Sequence, residues 1–175
     1  VVDLPTDRPR PRMRTIRSER AEIDLPGELV AKLRKAGSSI GGASLFTTLL
    51  AGFSSLVHRL TGEREMAIGV PAAGQMASGH EGLVGHCSNI LPIRVEVSRE
   101  QRFIDLLKAH RRHVLDAYDH QRHSLGSLLS KLRIPRDPSR VPLVPLLFNL
   151  DAGLETPRGP RFAGLDVDVA GNPRA

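Results

Sequence analysis

The chain has 175 residues, of which 40% are hydrophobic and 25% are charged, and its formal net charge is +6. This composition is typical of one folded domain and excludes a disordered chain. The single cysteine, Cys87, excludes an intramolecular disulfide and indicates a reducing, cytoplasmic location.

Positive charge is concentrated in two segments. Residues 1–20 carry six arginines against three acids, and residues 99–140 carry ten lysines and arginines against five acids. Such basic faces contact nucleic acid, an anionic membrane or an acidic protein, or are only solvated. Aromatic residues make up 3% of the chain, too few for a platform that stacks single-stranded bases. We therefore predict no nucleic-acid partner, and we expect neither a membrane span nor a signal peptide.

The first segment predicts an extended arm followed by a helix. Residues 1–20 contain prolines among alternating arginines and no core-facing pattern, so we predict a linker. Residues 21–25 predict a short strand. Pro26 is placed to open a helix, and Gly37 is placed to close it. Because the chain begins with valine rather than methionine, we expect it to be a fragment.

The clearest helix of the sequence lies over 44–61, where apolar residues recur at helical spacing. Ser44 and Gly62 are suited to cap its two ends. A buried strand is predicted over 65–71, ended by its last residue, a proline. Residues 89–97 alternate between apolar and charged side chains in their second half, which predicts a half-exposed strand.

Two further helices are predicted downstream. Ser98 and Gln101 form a capping-box pattern that opens a helix over 99–121. His110 lies in the apolar stripe of this helix, which predicts a core residue with one hydrogen bond. A shorter helix, capped by its first serine, is predicted over 124–133.

The last part of the chain predicts two strands and sets the fold class. Residues 143–151 are apolar almost throughout, which predicts a strand covered on both faces, with Pro145 marking an edge or bulge. Alternation predicts another strand over 162–169. Because strands alternate with helices, we predict an α/β or α+β two-layer sandwich in which helices pack on a mixed sheet.

Three features suggest chemistry, and each has a simpler explanation. Residues 37–44 nearly match a phosphate-binding loop but lack its lysine and follow a helix, so we predict a turn. His113, Asp116 and His120 share a helix face, but neighbouring arginines oppose a bound cation, so we predict no metal site. Cys87 follows a histidine, but adjacent residues of an extended segment point to opposite faces, so we predict a buried, unreactive thiol.

One segment resembles a motif of the condensation domains of nonribosomal peptide synthetases. Residues 84–94, VGHCSNILPIR, are similar to the family's valine–glycine–x–phenylalanine–valine–asparagine–threonine segment. The similarity rests on Gly85, Asn89 and Arg94.

Two later segments resemble further motifs of the same family, in the order in which the family has them. Residues 120–129, HQRHSLGSLL, resemble the HQ–x–x–P–F–E segment through His120 and Gln121. Residues 136–143, RDPSRVPL, resemble the RD–x–SRNPL motif and differ only at Val141. The resemblance covers nearly the whole chain.

The resemblance implies the C-terminal subdomain of a condensation domain, with a chloramphenicol-acetyltransferase-like fold. Residues 1–20 would be the arm that crosses between the two subdomains. Residues 21–175 would be the C-terminal subdomain, which we expect to be truncated at its C-terminus.

The resemblance also implies a function in secondary-metabolite and antibiotic biosynthesis. Such domains form an amide between a carrier-bound acyl or peptidyl thioester and the amine of a carrier-bound aminoacyl group. The substrates arrive on phosphopantetheine arms, so no cofactor is expected to bind directly. The implied partners are the N-terminal subdomain, peptidyl or acyl carrier proteins and an adjacent adenylation domain.

The family's catalytic motif, His-His-x-x-x-Asp-Gly, belongs to the N-terminal half, and this sequence contains no His-His pair. We therefore assign no catalytic residue and expect the chain to be inactive alone. Heterocyclisation, epimerisation and ester-forming variants share the fold and stay open. The alternative is a non-catalytic module that docks carrier proteins.

By resemblance, three residues are candidates for the wall of the substrate tunnel: Gly85, Ser88 and Asn89. The Asn89 amide either orients a thioester or amine, or bonds its own backbone in a turn.

The other motif residues are predicted to be structural. They are Arg94, His120, Gln121, Arg136, Asp137, Ser139 and Arg140. Asp137 can accept charge-assisted hydrogen bonds from either arginine of its motif or from a backbone amide. This arrangement would orient the entry into the strand predicted over 143–151.

Overall fold

The structure is a computed structural model that describes residues 2–15, 17–74, 84–134 and 137–151, together with Gly79 and Gly164. These residues form four helices and three strands. In chain order they are α1 (Gly27–Ser39), α2 (Leu45–Thr61), β1 (Glu65–Ala73), β2 (Ser88–Glu96), α3 (Phe103–Asp119), α4 (Leu125–Lys131) and β3 (Leu146–Leu147).

The strands form one mixed sheet in the order β2-β1-β3. β1 pairs antiparallel with β2 along its whole length, and it pairs parallel with β3 at Ile68 and Gly69. Gly69 allows this close approach, because a Cβ atom there would lie 2.5 Å from Leu147 Cδ2 and 2.9 Å from Ile90 Cγ2. The mixed sheet with packed helices confirms the predicted fold class.

The core lies between this sheet and the helices α2 and α3. Alternate residues of the strands, such as Ile68 and Ile93, are fully buried against Leu50 of α2 and Leu107 of α3. Each such side chain stabilises the fold by roughly 1.5–3 kcal/mol. Phe148, just after β3, lies 5.4 and 5.5 Å from two phenylalanine rings of α2, which attaches this helix to the β3 side of the sheet.

The strongest local patterns are confirmed. α2 has its predicted caps: the Ser44 hydroxyl accepts a hydrogen bond from the Thr47 amide, and Gly62 ends the helix with a φ of 75°. β2 buries Ile93 and Val95 and exposes Arg94, as its alternation predicts. The glycine-rich segment after α1 is a helix-to-helix turn.

Other boundaries in the first half were predicted wrongly. Residues 21–25 form no strand, and Ile23 is 85% exposed. Gly37 does not close α1 but is a buried residue inside it, where a Cβ atom would collide with Thr48 Oγ1. β1 continues two residues past Pro71.

The direction of the backbone groups explains why β1 passes through its proline. The carbonyl of Gly69 accepts from the Phe148 amide on the β3 side. Backbone direction alternates along a strand, so the missing amide of Pro71 also faces the β3 side, not β2. Pro92 lies opposite Gly69 in β2 and faces away from β1 for the same reason.

Predictions for the second half are partly wrong as well. α3 begins at Phe103 without a side-chain cap, because the Ser98 hydroxyl bonds Glu100 instead. β3 has only two residues rather than the predicted 143–151, because it follows prolines and Leu143 has a φ of 65°. α4 keeps its Ser124 cap but ends at Lys131, and none of its residues is fully buried. The strand predicted over 162–169 lies outside the described residues.

Candidate functional site

Asn89, at the start of β2, uses its whole side-chain amide to bond backbone groups. Its Nδ2 donates to the carbonyls of Gln121 at 3.0 Å and His123 at 2.9 Å. Its Oδ1 accepts from the amides of Ile90 at 2.9 Å and Leu125 at 3.2 Å. An asparagine amide has two donor hydrogens and two acceptor lone pairs, so all four are occupied.

Three of these four bonds join β2 to the turn between α3 and α4, and the fourth stays within β2. Two roles were expected for Asn89, namely orienting a substrate or bonding its own backbone. Asn89 does more than bond its own backbone, because three of its four partners lie in another part of the chain. The structure thereby brings together the two motif segments that contain Asn89 and Gln121.

The two motif residues of this turn, His120 and Gln121, both contact backbone groups. Gln121 is half-buried and supplies its carbonyl to Asn89. The exposed His120 ring places Nδ1 2.8 Å from the Asp116 carbonyl, one helical turn before it. This contact lies at the end of α3.

The other two tunnel candidates lie beside Asn89 on the surface. Gly85 and Ser88 are exposed, and a Cβ atom at Gly85 would meet nothing within 4 Å. Cys87, between them, is half-buried rather than buried, and its carbonyl accepts from the Gly74 amide at 2.8 Å. The start of β2 therefore presents an open surface backed by the fixed Asn89 amide.

The motif at 136–143 forms a charged turn around Arg140. Asp137 Oδ1 accepts from the Ser139 amide at 2.8 Å. Hydrogen bonds from the Ser139 hydroxyl and amide, followed by the charge of Arg140, hold the pKa of Asp137 below its ordinary value. Arg140 Nε lies 2.8 Å from Asp137 Oδ2, as an ion pair without hydrogen-bond alignment. Arg136 lies outside the described residues.

The second partner of Arg140 comes from the arm. Arg140 Nη1 donates to Asp3 Oδ1 at 2.8 Å, and the Arg14 amide donates to the Pro138 carbonyl at 3.0 Å. Val2 is only 5% exposed and belongs to the core. The arm, whose sequence has no core-facing pattern, therefore contacts both the core, through Val2, and the charged turn.

The side chains of Arg94 and His110 both bond other groups of the protein. Arg94 forms an exposed cross-strand pair with Glu65, at 3.2 Å. His110 is fully buried, as predicted, with Nδ1 2.9 Å from the Leu106 carbonyl and Nε2 2.8 Å from the Ser54 hydroxyl. It thus has two hydrogen bonds rather than the predicted one. Within the described ranges, no group of three or more His, Cys, Asp or Glu residues is placed to hold a metal ion.

An apolar cavity lies next to the charged turn. It has a volume of about 540 Å³ and separates α4 from the turn. Its lining includes Leu129, Ile134, Asp137, Pro138 and Pro142. No sequence signal indicates this cavity, because each of its lining residues, which lie between positions 126 and 142, has an ordinary local pattern.

Comparison with known proteins places these motifs in one family. The family model described as the Condensation domain matches residues 1–160. One subunit of the linear gramicidin synthase of Brevibacillus parabrevis is 38% identical over 171 residues, which are 96% of this chain and 3% of that protein. The chain thus spans a small fraction of the length of this relative.

Solved structures agree on the fold. A four-domain nonribosomal peptide synthetase, crystallised with AMP and glycine, matches 86% of this chain and 11% of its own, with a TM-score of 0.82 at 20% identity. The X-domain from teicoplanin biosynthesis, solved in complex with OxyB, matches 81% of this chain and 31% of its own, with a TM-score of 0.75 at 22% identity.

None of the described helices is both long and apolar enough to cross a membrane. The joined motifs, the mixed sheet and the match over residues 1–160 lead to one assignment. The chain belongs to the condensation domain family found in nonribosomal peptide synthetases.

Proposed function

We propose that the chain supplies one wall of the chamber in which a condensation domain forms an amide bond. The reaction joins a carrier-bound acyl or peptidyl thioester to the amine of a carrier-bound aminoacyl group. The amine attacks the thioester carbonyl, the C–N bond forms, and the thiol of the phosphopantetheine arm leaves.

The observation that carries the proposal is the joint at Asn89. It fixes the start of β2 to the α3–α4 turn through three hydrogen bonds and leaves Gly85 and Ser88 exposed beside it. A rigid wall next to an open surface is suited to hold two substrate arms in a reactive orientation. Gly85 and Ser88 are our candidates for contact with substrate, and Asn89 for positioning the wall.

The chain contributes no proton-transfer group to this proposal. The sequence has no His-His pair. The base or positioning group would come from an N-terminal subdomain, and the substrates from carrier proteins. We place the reaction in the cytoplasm, with which the single cysteine is consistent. An adjacent adenylation domain would load the carriers.

The test is reconstitution of the two halves. The chain would be fused in frame to the N-terminal half of the corresponding condensation domain of linear gramicidin synthase. Two loaded carrier proteins would be added, and amide formation would be measured by mass spectrometry of the intact carriers. We expect product from the fusion and none from the chain alone. A fusion that is folded by circular dichroism yet makes no amide would contradict the proposal.

A second function, docking without chemistry, is favoured by one observation. The fold matches that of the X-domain, which has been solved in complex with another protein, OxyB. The same reconstitution separates the two functions, because a docking module would bind carriers in a pull-down while making no amide. Amide formation that stops when Ser88 is replaced by a bulky residue would favour the first function.

A further inference from the structure

A polar cavity lies at the far end of β2 from Asn89. It has a volume of about 640 Å³ and is formed by the last turn of α2, the β2–α3 loop and the first turn of α3. β2 rises by about 3.3 Å per residue, so roughly 25 Å separates this cavity from the Asn89 joint. It is therefore distinct from the proposed substrate wall.

Two cations from different elements line this cavity. Arg59 lies on α2 and Arg99 on the β2–α3 loop, and both are exposed. Neither forms an ion pair of 4 Å or less with another residue in the described parts of the chain. Ser55, Ser98 and Gln101 add polar groups to the same lining. A cavity with two unpaired guanidinium groups favours an anionic ligand.

A buried histidine of the lining has one ring nitrogen left for a ligand. His58 is only 8% exposed, and its Nδ1 lies 2.8 Å from the Glu63 carbonyl. Since a carbonyl only accepts, Nδ1 carries the hydrogen of this bond. Nε2 has no hydrogen-bond partner among the described residues. It can accept a hydrogen bond from a protonated phosphate oxygen.

The start of α3 points to the same class of ligand. This 17-residue helix has no side-chain cap at Arg102, so the amides of Phe103 and Ile104 lack a capping acceptor, whereas the Asp105 amide bonds the Arg102 carbonyl at 3.0 Å. Gln101 and Phe103, on either side of that position, both line the cavity. Free amides at a helix N-terminus bind phosphate groups. The nearby acid Asp105 is paired with Arg102 at 2.9 Å, which reduces its repulsion of an anion.

We propose that this cavity binds the phosphate group of a small phosphomonoester. The two arginines, the free nitrogen of His58 and the first amides of α3 would hold the phosphate oxygens. Phe103, which is 46% exposed, and the buried Val97 and Leu106 supply an apolar surface for the organic part. This inference is independent of the amide-forming function.

The first experiment measures phosphate binding to the folded chain. Inorganic phosphate would be titrated at constant ionic strength, with chloride as the balancing anion, by isothermal titration calorimetry. We expect R59Q and R99Q each to weaken binding about tenfold, because each removes charge-assisted hydrogen bonds. R112Q is the matched control, since Arg112 is an exposed arginine of α3 outside the lining, and its affinity should equal that of the wild type.

Two further variants make the result decisive. Glu100 lies beside Arg99 and is held by the Ser98 hydroxyl at 2.9 Å, so E100Q removes a negative charge and should strengthen binding. Phenyl phosphate should bind to the wild type more tightly than inorganic phosphate does. In F103A, the two ligands should bind with equal affinity. Equal weakening by R112Q, or binding that R59Q and R99Q leave unchanged, would overturn the site. Equal affinities of the wild type for the two phosphates would overturn the organic-ester part and assign the site to free phosphate.

Discussion

Ser54 Oγ and His110 Nε2 lie 2.8 Å apart in the fully buried interface between α2 and α3. The other ring nitrogen, Nδ1, faces the Leu106 carbonyl, so it must carry a hydrogen. In the neutral ring, Nε2 is then an acceptor, and it shares the single hydroxyl hydrogen of Ser54 with the Ala51 carbonyl, which lies 3.0 Å from Ser54 Oγ. The two helices are thus joined by a bond that depends on the protonation state of one imidazole.

Stability should therefore decrease in mild acid. Burial lowers the pKa of His110 below its ordinary value of 6.5, although the bond to Leu106 opposes part of this effect. The unfolded chain then binds the proton more readily than the folded one. The His110 contribution is complete above pH 6.5 and is lost as the pH falls through the lower pKa of the folded state.

Urea unfolding from pH 7.5 to 5 would measure this decrease. H110Q should lower the free energy of unfolding at pH 7.5 and reduce its slope against pH. H120Q, which removes an exposed ring, is the control, and its slope should be steeper than that of H110Q. An unchanged slope in H110Q would show that another group causes the acid sensitivity.

Replacing Asn89 should destabilise the joint between β2 and the α3–α4 turn. N89A leaves four backbone groups without their partner, and water can reach some of them, so we expect a loss of about 1–3 kcal/mol in the free energy of unfolding. N149A is the control, because among the described residues the Asn149 side chain bonds the exposed Asp151. Denaturant unfolding of both variants tests this, and equal stabilities would contradict the central role of Asn89.

The contact between Arg140 and Asp3 should hold the arm in place. Arg140 is 19% exposed and Asp3 is much more exposed, so solvent screens the pair and its coupling energy should be about 1 kcal/mol or less. A double-mutant cycle with R140Q and D3N measures that coupling. R140Q should also speed proteolysis of the arm. R94Q, at an exposed cross-strand pair, should not, and equal rates in both variants would contradict the docked arm.

A methyl group at Gly69 should disturb the centre of the sheet. Because a Cβ atom there would overlap Leu147 and Ile90, G69A should destabilise the protein by roughly 1–3 kcal/mol. Gly52 is the matched control, since it lies on the exposed face of α2 with nothing within 4 Å of an added Cβ. G52A should stabilise the helix by about 0.5–1 kcal/mol. Thermal unfolding of the two variants should shift in opposite directions.

Most features that are determined by residues close together in the sequence were predicted correctly, and most features that depend on tertiary contacts were not. α2 and β2 were found because periodicity and caps act within a few residues. The start of α3 was missed because Ser98 bonds Glu100, so the same residues that form a capping box form a turn. The end of β1 was wrongly predicted at Pro71, because the direction in which a strand residue's amide faces is set by the neighbouring strands and not by the local sequence.

The candidate site was predictable as a set of residues but not as an arrangement. Asn89 was found by its motif, yet its partners lie up to 36 residues away and three of them are backbone groups of the α3–α4 turn, which carry no sequence signature. The phosphate cavity was missed for a similar reason. Arg59, Arg99 and His58 belong to no motif and meet only through the packing of α2 against the β2–α3 loop.

The contact between Asp3 and Arg140 spans 137 positions of the chain. Bringing such distant segments together early in folding would require closing a very long loop, which is entropically unfavourable. The antiparallel pair β1–β2 and the adjacent helices have far shorter separations and can form first. The arm is synthesised before the rest of the described chain, but its partner is synthesised near the end. During translation, the contacts of Val2 and Asp3 therefore form after the sheet and its charged turn.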